Sequence, residues 1–297
     1  MIKLGTKCDF MDDTGITDDE KYGILAKMGF HSVDYSFQFD YKNPLFQLSD
    51  EELKIKMEGI RKIINANGLV VGQTHSPHDA YWGEEPETRE ARFHAQVQAI
   101  KAASYLNSPY IVIHPLTKPW RLDADVLAEG KKINMEFYGE LRPYLKKYKV
   151  KGAIENLFSN NPVTGCPCRS ICSTAEDLID YVESAGTDCY TTCLDVGHAA
   201  LAMQNPVDMI YKLGKKYLGV THMHDNRYAF DDHRMPGMGR IDWYGVGKAL
   251  NDIGFDGIFN YEACRTYGSL GIYKKELMVE YIRVFAELGK AIISVKS

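Results

Sequence analysis

Between Leu218 and Trp243 the chain reads LGVTHMHDNRYAFDDHRMPGMGRIDW. A short apolar run, Leu218 to Thr221, is followed by His222, His224, Asp225, Asp231, Asp232 and His233 within twelve residues. A Pro-Gly-x-Gly turn, Pro236 to Gly239, then leads into Ile241-Asp242-Trp243, where a helix is expected to open. Imidazoles and carboxylates are the donors that a divalent cation takes, and a purely structural loop rarely carries them at this density.

Five other short apolar runs finish on a residue of the same kind. They are Gln73-Thr74-His75, Val112-Ile113-His114, Ala153-Ile154-Glu155, Cys193-Leu194-Asp195 and Asn260-Tyr261-Glu262. Taken alone, a histidine in such a place is more often a hydrogen-bonded core side chain, and a carboxylate is often a loop N-cap. Six in succession need a common explanation, which depends on the elements that hold them.

Those elements alternate from end to end. Strands are expected at Ile2 to Cys8, Ser32 to Phe37, Leu69 to Thr74, Tyr110 to His114, Gly152 to Glu155, Thr191 to Asp195, Leu218 to His222 and Gly257 to Glu262. Helices are expected at Thr17 to Met28, Ser49 to Asn67, Glu87 to Leu106, Asp123 to Lys147, Thr174 to Ala185, Pro206 to Leu213, Asp242 to Ile253 and Lys275 to Lys290. Thr17 with Glu20 and Ser49 with Glu52 have capping-box spacing, and Thr-Ala-Glu-Asp opens the helix at Thr174. Pro143 should kink or break the fourth helix. Strict alternation implies parallel strands joined by helical crossovers. Eight such units in this length imply an α/β fold, a closed (β/α)8 barrel spanning residues 1–297 as one domain.

In such a barrel the strands all end on the face that carries active sites. Carboxylates buried there are costly unless a cation compensates them. The expected ligands of one divalent metal are Glu155, Asp195, His222 and Glu262. His75, His114, His198, Asp231 and His233 then either bind further metals or hold substrate. His224 is on the strand face or beyond it, and Asn156 and Asp225 are expected as outer partners of the ligands. His31, His78 and His94 fit packed side chains. Without a cysteine among the ligands, manganese, cobalt, magnesium and zinc all suit the set.

Composition narrows the function classes. The chain has 297 residues, 45% apolar, with net charge −5 and pI near 6.0. That argues against a strongly basic nucleic-acid surface, though a small basic groove stays open. MIKLGTKCDF has no leader pattern, and no apolar run approaches the roughly 18 residues of a membrane span, so a cytoplasmic protein is expected. A homo-oligomer is left open. Seven cysteines, an odd number, argue against a disulfide framework. Cys166, Cys168 and Cys172 in CPCRSIC match no common zinc or iron–sulfur spacing and read as small loop residues.

The motifs IVIHP (111–115), AIEN (153–156), LDVGHA (194–199), THMHDN (221–226), DDHRMPGMGRIDW (231–243) and FDGIFNYEA (255–263) resemble the xylose isomerase-like TIM barrels. HSPH (75–78) extends the match to the third strand. That superfamily holds sugar isomerases and epimerases, inosose dehydratase-type enzymes and endonuclease IV.

Two branches follow from the resemblance. Ketose 3-epimerases hold one metal by Glu, Asp, His and Glu, and the two glutamates shuttle the proton; Glu155, Asp195, His222 and Glu262 match those positions. An arginine of that pattern is replaced by His233 and a substrate-binding glutamate by Asn161. Endonuclease IV holds three zinc ions by nine residues, and His75, His114, Glu155, Asp195, His198, His222, Asp231, His233 and Glu262 match all nine. The loop Phe37-Gln38-Phe39-Asp40-Tyr41 lacks the basic residues with which that branch enters DNA. The expectation is a metal-dependent isomerase or epimerase of a sugar or similar polyol. Glu155 and Glu262 would be its acid–base pair, with His75, His198, His233 and Trp120 on the substrate. A dehydratase would use the same chemistry. The alternative is a multi-zinc phosphodiesterase acting on abasic DNA.

Overall fold

The computed structural model describes residues 1–9, 11, 15–37, 40–77, 83–117, 124–263 and 274–296. Its strands are β1 (Lys3–Lys7), β2 (Ser32–Ser36), β3 (Val70–His75), β4 (Tyr110–Ile113), β5 (Lys151–Glu155), β6 (Phe158–Asn160), β7 (Pro167–Arg169), β8 (Tyr190–Asp195), β9 (Leu218–His222) and β10 (Ile258–Tyr261). Its helices are α1 (Asp18–Met28), α2 (Asp50–Ala66), α3 (Pro86–Tyr105), α4 (Ala124–Tyr148), α5 (Ala175–Ala185), α6 (Val196–Leu201), α7 (Pro206–Tyr217), α8 (Trp243–Asp252) and α9 (Lys275–Ile293).

Eight strands form one sheet in the order β10-β1-β2-β3-β4-β5-β8-β9, and every pair is parallel. The two edges meet at a bridge between Met223 and Tyr261. There the Met223 N–H donates to the Asn260 carbonyl at 2.8 Å, and the Glu262 N–H donates to the Met223 carbonyl at 3.2 Å. The sheet is thus a nearly closed (β/α)8 barrel, and its strands all end on one rim. Among the described residues no helix is long and apolar enough to cross a membrane.

Local signals account for the elements. Thr17, Ser49 and Thr174 each complete a capping box, with Glu20, Glu52 and Asp177 respectively, satisfying N–H groups that the first helical turn leaves free. Each long helix then buries an apolar residue completely against the barrel: Leu25, Leu53, Ile100, Leu141, Leu178, Ile210, Leu250 and Ile282. Burying one such side chain is worth about 1.5–3 kcal/mol. Inside the barrel a smaller layer of Val112, Ala153, Cys193 and Val220 plugs the space beneath the rim.

Three features depart from the sequence expectation. Helix α4 runs unbroken through Pro143. The carbonyl that loses its partner there belongs to Gly139, on the exposed face where water can satisfy it. Strands β6 and β7 form an antiparallel hairpin after β5 that no alternating pattern announced. Helix α6 starts directly on β8, with Asp195 as its N-cap accepting the His198 N–H at 2.6 Å. Six residues, all buried, are too few and too uniformly apolar to reveal a helical period.

Candidate metal centre

His222 closes β9 with its Nδ1 directed at carboxylates from three other strands. It lies 2.8 Å from Glu155 Oε1, 3.2 Å from Glu262 Oε2 and 3.9 Å from Asp195 Oδ2. Glu155, Asp195 and His222 are fully buried, and Glu262 nearly so. Two further histidines converge on the other oxygen of Glu155: His114 Nε2 at 2.8 Å and His75 Nε2 at 3.3 Å. A fourth carboxylate, Asp231, follows in the loop after β9. Asp231 Oδ2 is 2.9 Å from His233 Nε2 and 3.8 Å from His198 Nε2.

The outer nitrogens explain how these rings are held. Nδ1 of His75, His198 and His233 lies 2.8, 3.0 and 2.7 Å from the carbonyls of Ser76, Asn156 and Glu262. A carbonyl only accepts, so each Nδ1 carries the proton and each Nε2 is left to face the carboxylates. His222 is turned round. Its Nε2 donates to Asp34 Oδ2 at 3.2 Å, and its Nδ1 faces inward. Outer acceptors of this kind fix ring orientation and tautomer at metal sites.

The electrostatics are those of a site short of positive charge. Burial pushes the Glu155 carboxyl up, but His222 and His114 beside it bring it well below the usual carboxylate range. Glu262 is likewise pushed up by burial and held well below that range by His222 and Lys7. Burial opposes a charged His222, yet Cys193, Glu262 and Glu155 raise it well above an ordinary imidazole. His198 is raised too, against its burial, by Asp195 and Asp231. His114 goes the other way, because burial outweighs Glu155.

The donor set fits a divalent cation. Ligand atoms of His75, His114 and Glu155 lie within 4.8 Å of one another, as do those of His75, His222 and Glu262, and those of Asp195, His198 and His224. Asp231 Oδ1 is buried with no hydrogen-bond partner among the described residues. A cation would satisfy that oxygen and relieve the crowding of charge.

All nine candidate ligand residues singled out from the sequence therefore meet at one rim. Trp120, with Trp82 and His78, lies outside the described residues. His31 and His94 bond elsewhere, to Lys3 and to the Phe46 carbonyl. Among the described residues Asp225 bonds no candidate ligand side chain: it accepts the N–H groups of Gly237, Gly239, Arg240 and Ile241 and the Trp243 indole N–H. Asn156 bonds the main chain of Asp195 through both ends of its amide. Tyr261 packs in the core against Phe30, Phe259 and Phe285, and the Phe158 ring lies against His198. Asn161 caps the β6–β7 turn by accepting from Val163 and Thr164. Of the three clustered cysteines, Cys166 is exposed, Cys168 half-buried and Cys172 buried.

Sequence reasoning missed Lys7 and Asp34 as members of the site and left the direction of His224 open. Lys7 Nζ is 3.2 Å from Glu262 Oε1 and almost wholly buried. Asp34 is fixed by Gln73 Nε2 at 3.0 Å and Asn260 Nδ2 at 2.9 Å. A charged residue inside a short β-rich run was the available signal for Lys7 and Asp34.

A barrel with this ring of donors belongs to a known class. The family profile described as xylose isomerase-like TIM barrel matches residues 23–287, and the chain belongs to that family. It is 33% identical to an uncharacterised protein of Sinorhizobium fredii, over 80% of this chain and 78% of that one. An uncharacterised protein of Methanocaldococcus jannaschii is 28% identical over 64% of this chain, which spans 61% of that relative's length. A D-psicose 3-epimerase of Ruminiclostridium cellulolyticum is 24% identical over 80% of this chain and 76% of the enzyme. Among solved structures, the IolI protein with a bound zinc atom superposes with a TM-score of 0.73 at 18% identity, covering 99% of this chain and 98% of that one. A D-psicose 3-epimerase in the presence of D-fructose gives 0.71 at 18%, covering 98% and 99%. At such identities the likeness speaks for the fold.

Proposed function

We propose that the protein is a metal-dependent isomerase or epimerase of a small sugar or related polyol. The observation that carries this reading is the pair of buried glutamates, Glu155 and Glu262, set 2.8 and 3.2 Å from the same histidine nitrogen. Similarity to a D-psicose 3-epimerase supports the substrate class. Glu155, Asp195, His222 and Glu262 would hold the cation, and manganese, cobalt, magnesium and zinc all suit that set. Bound there, the cation supplies a positive centre for a carbonyl oxygen and its neighbouring hydroxyl, lowering the cost of the charge left when a C–H proton departs.

The chain's own groups move the proton. One of Glu155 and Glu262 takes it from carbon, and the other delivers one to the opposite face or to the adjacent carbon. His75, His198 and His233 lie beside the pair, each with Nδ1 bonded to a main-chain carbonyl, and their Nε2 atoms, which face Glu155 or Asp231, would turn to substrate oxygens or further cations. Loss of a hydroxyl after proton removal would make the same site a dehydratase of the inosose type.

The test is exchange of substrate C–H for solvent deuterium, followed by NMR over a panel of ketoses, aldoses and inososes with the metal-loaded protein. Exchange with at least one compound is expected, abolished in both Glu155→Gln and Glu262→Gln. No exchange with any compound at full metal loading sinks the reading.

One observation favours a second reading. Glu155 Oε2 is shared by His75 and His114, and Asp231 lies beside His198 and His233, so the donors extend beyond one cation. All nine positions that match endonuclease IV take part, which would suit three zinc ions and phosphodiester hydrolysis at abasic DNA. Three zinc ions per chain together with cleavage of abasic-site DNA would establish it and displace the first reading.

A further inference from the structure

His224 is completely buried beside the ligand set, and its bonding differs from that of the other rings. Its Nε2 lies 3.0 Å from each carboxylate oxygen of Asp195. A carboxylate only accepts, so Nε2 carries the proton. Its Nδ1 has no hydrogen-bond partner among the described residues. The ring stacks on His233, with centroids 4.1 Å apart and planes 14° from parallel. Its Nδ1–Cε1–Nε2 edge abuts Gly197, where a Cβ would fall on the ring itself. Gly197 is in turn held by the Asn226 amide, which donates to its carbonyl at 2.9 Å.

We propose that His224 is a positioning residue that fixes the carboxylate plane of Asp195, and that position 197 is glycine because His224 needs the space. The inference rests on the reading of Asp195 as a metal ligand. Two donors then hold Asp195 from behind: His224 Nε2 across both oxygens, and the His198 N–H on Oδ1 at 2.6 Å. Oδ2, held by His224 alone of these two donors, faces His222 Nδ1 at 3.9 Å. A carboxylate free to rotate about its last bond would lose part of its affinity as the cation binds. Supporting bonds of this kind are worth about 10–100-fold in metal affinity.

The test titrates the metal-free full-length protein with Mn2+ or Zn2+ against a chelating indicator, for wild type, His224→Phe, His224→Gln and Gly197→Ala. Circular dichroism and thermal melting confirm that each is folded. Phenylalanine keeps the stacked ring and loses the donor; glutamine keeps a donor near the position of Nε2. Alanine raises helix propensity within α6, so any loss it causes must come from displacing the imidazole. About 10–100-fold weaker binding is expected for His224→Phe and Gly197→Ala, with His224→Gln close to wild type. If His224→Phe does not fold, Gly197→Ala against His224→Gln carries the same comparison. Wild-type affinity in folded Phe or Ala variants overturns the proposal, and so does a His224→Gln loss as large as that of His224→Phe, which would make His224 a ligand or mere packing. Wild type that binds neither ion overturns the metal reading itself.

Discussion

Asp34 decides how His222 faces the site. It occupies the outer nitrogen at 3.2 Å and is itself fixed by two amides, from Gln73 and Asn260. Asp34→Asn keeps the shape but replaces a pure acceptor by a group that can turn its NH2 toward the ring. The His222 proton then has no reason to stay on Nε2, and the inward lone pair is lost for part of the time. Metal affinity should fall about 10–100-fold with the fold retained, as read by the same indicator titration. Unchanged affinity would show that the tautomer is set by something else. Asp34 also marks where the sequence stopped being legible. His75, His114, Glu155, Asp195, His222 and Glu262 stand at strand ends, where side-chain alternation and the barrel rule assign them to one rim. Asp34 sits two residues before the end of β2, and Lys7 is a residue type that no ligand pattern seeks. His224 follows its strand, so its direction is set by tertiary packing against Gly197 and not by period.

At the scale of elements, the loop from β9 to α8 is built around one buried carboxylate. Asp225 accepts four main-chain N–H groups of the Pro-Gly-x-Gly turn and beyond, at 2.9 to 3.3 Å, as well as the Trp243 indole at 2.9 Å. That arrangement ties the turn to the end of β9 and so places Asp231 and His233 above the rim. Asp225→Ala strands several buried donors at once, each costing about 1–3 kcal/mol if water cannot reach it. A loss of roughly 2–4 kcal/mol in urea unfolding is expected, with new proteolytic cleavage inside residues 226–241 detected by mass spectrometry. Wild-type stability and protection would mean that the turn holds itself. The sequence made the density of this loop plain and its wiring opaque, because a carboxylate reads alike whether it takes a cation or six N–H groups. Helix starts were legible for a simpler reason: capping is local chemistry, and Thr17, Ser49 and Thr174 needed only their own third neighbours. Pro143 misled because a proline is harmful in proportion to what its lost bond leaves buried, and exposure of Gly139 is a property of the folded barrel.

Over the whole molecule, the rim couples stability to protons and, on the proposed reading, would couple it to metal. In the metal-free protein His222, His198 and His224 are raised above the ordinary imidazole value of 6.5. Their contribution is full below that value and is lost as pH rises through the folded-state values. Glu155 and Glu262 are lowered from 4.5, and Asp231 from 3.8, so their contribution is present above those values and is lost as pH falls through the folded-state ones. His114, lowered by burial, subtracts on the acid side of 6.5. The metal-free chain should therefore be most stable between about pH 4.5 and 6.5 and should weaken toward pH 8. A cation needs the same imidazoles unprotonated, so its binding releases protons and tightens as pH rises. Six of the eight strands would share the consequence, because the candidate ligands stand at the ends of β3, β4, β5, β8, β9 and β10. The gain in Tm on adding Mn2+ or Zn2+ should be small at pH 5.5 and grow steadily to pH 8, measured by thermal melts with metal and with chelator. A gain that does not change with pH, or metal-free stability that rises from pH 6 to 8, would mean that protonated histidines are not what balances Glu155, Glu262 and Asp231 when the cation is away.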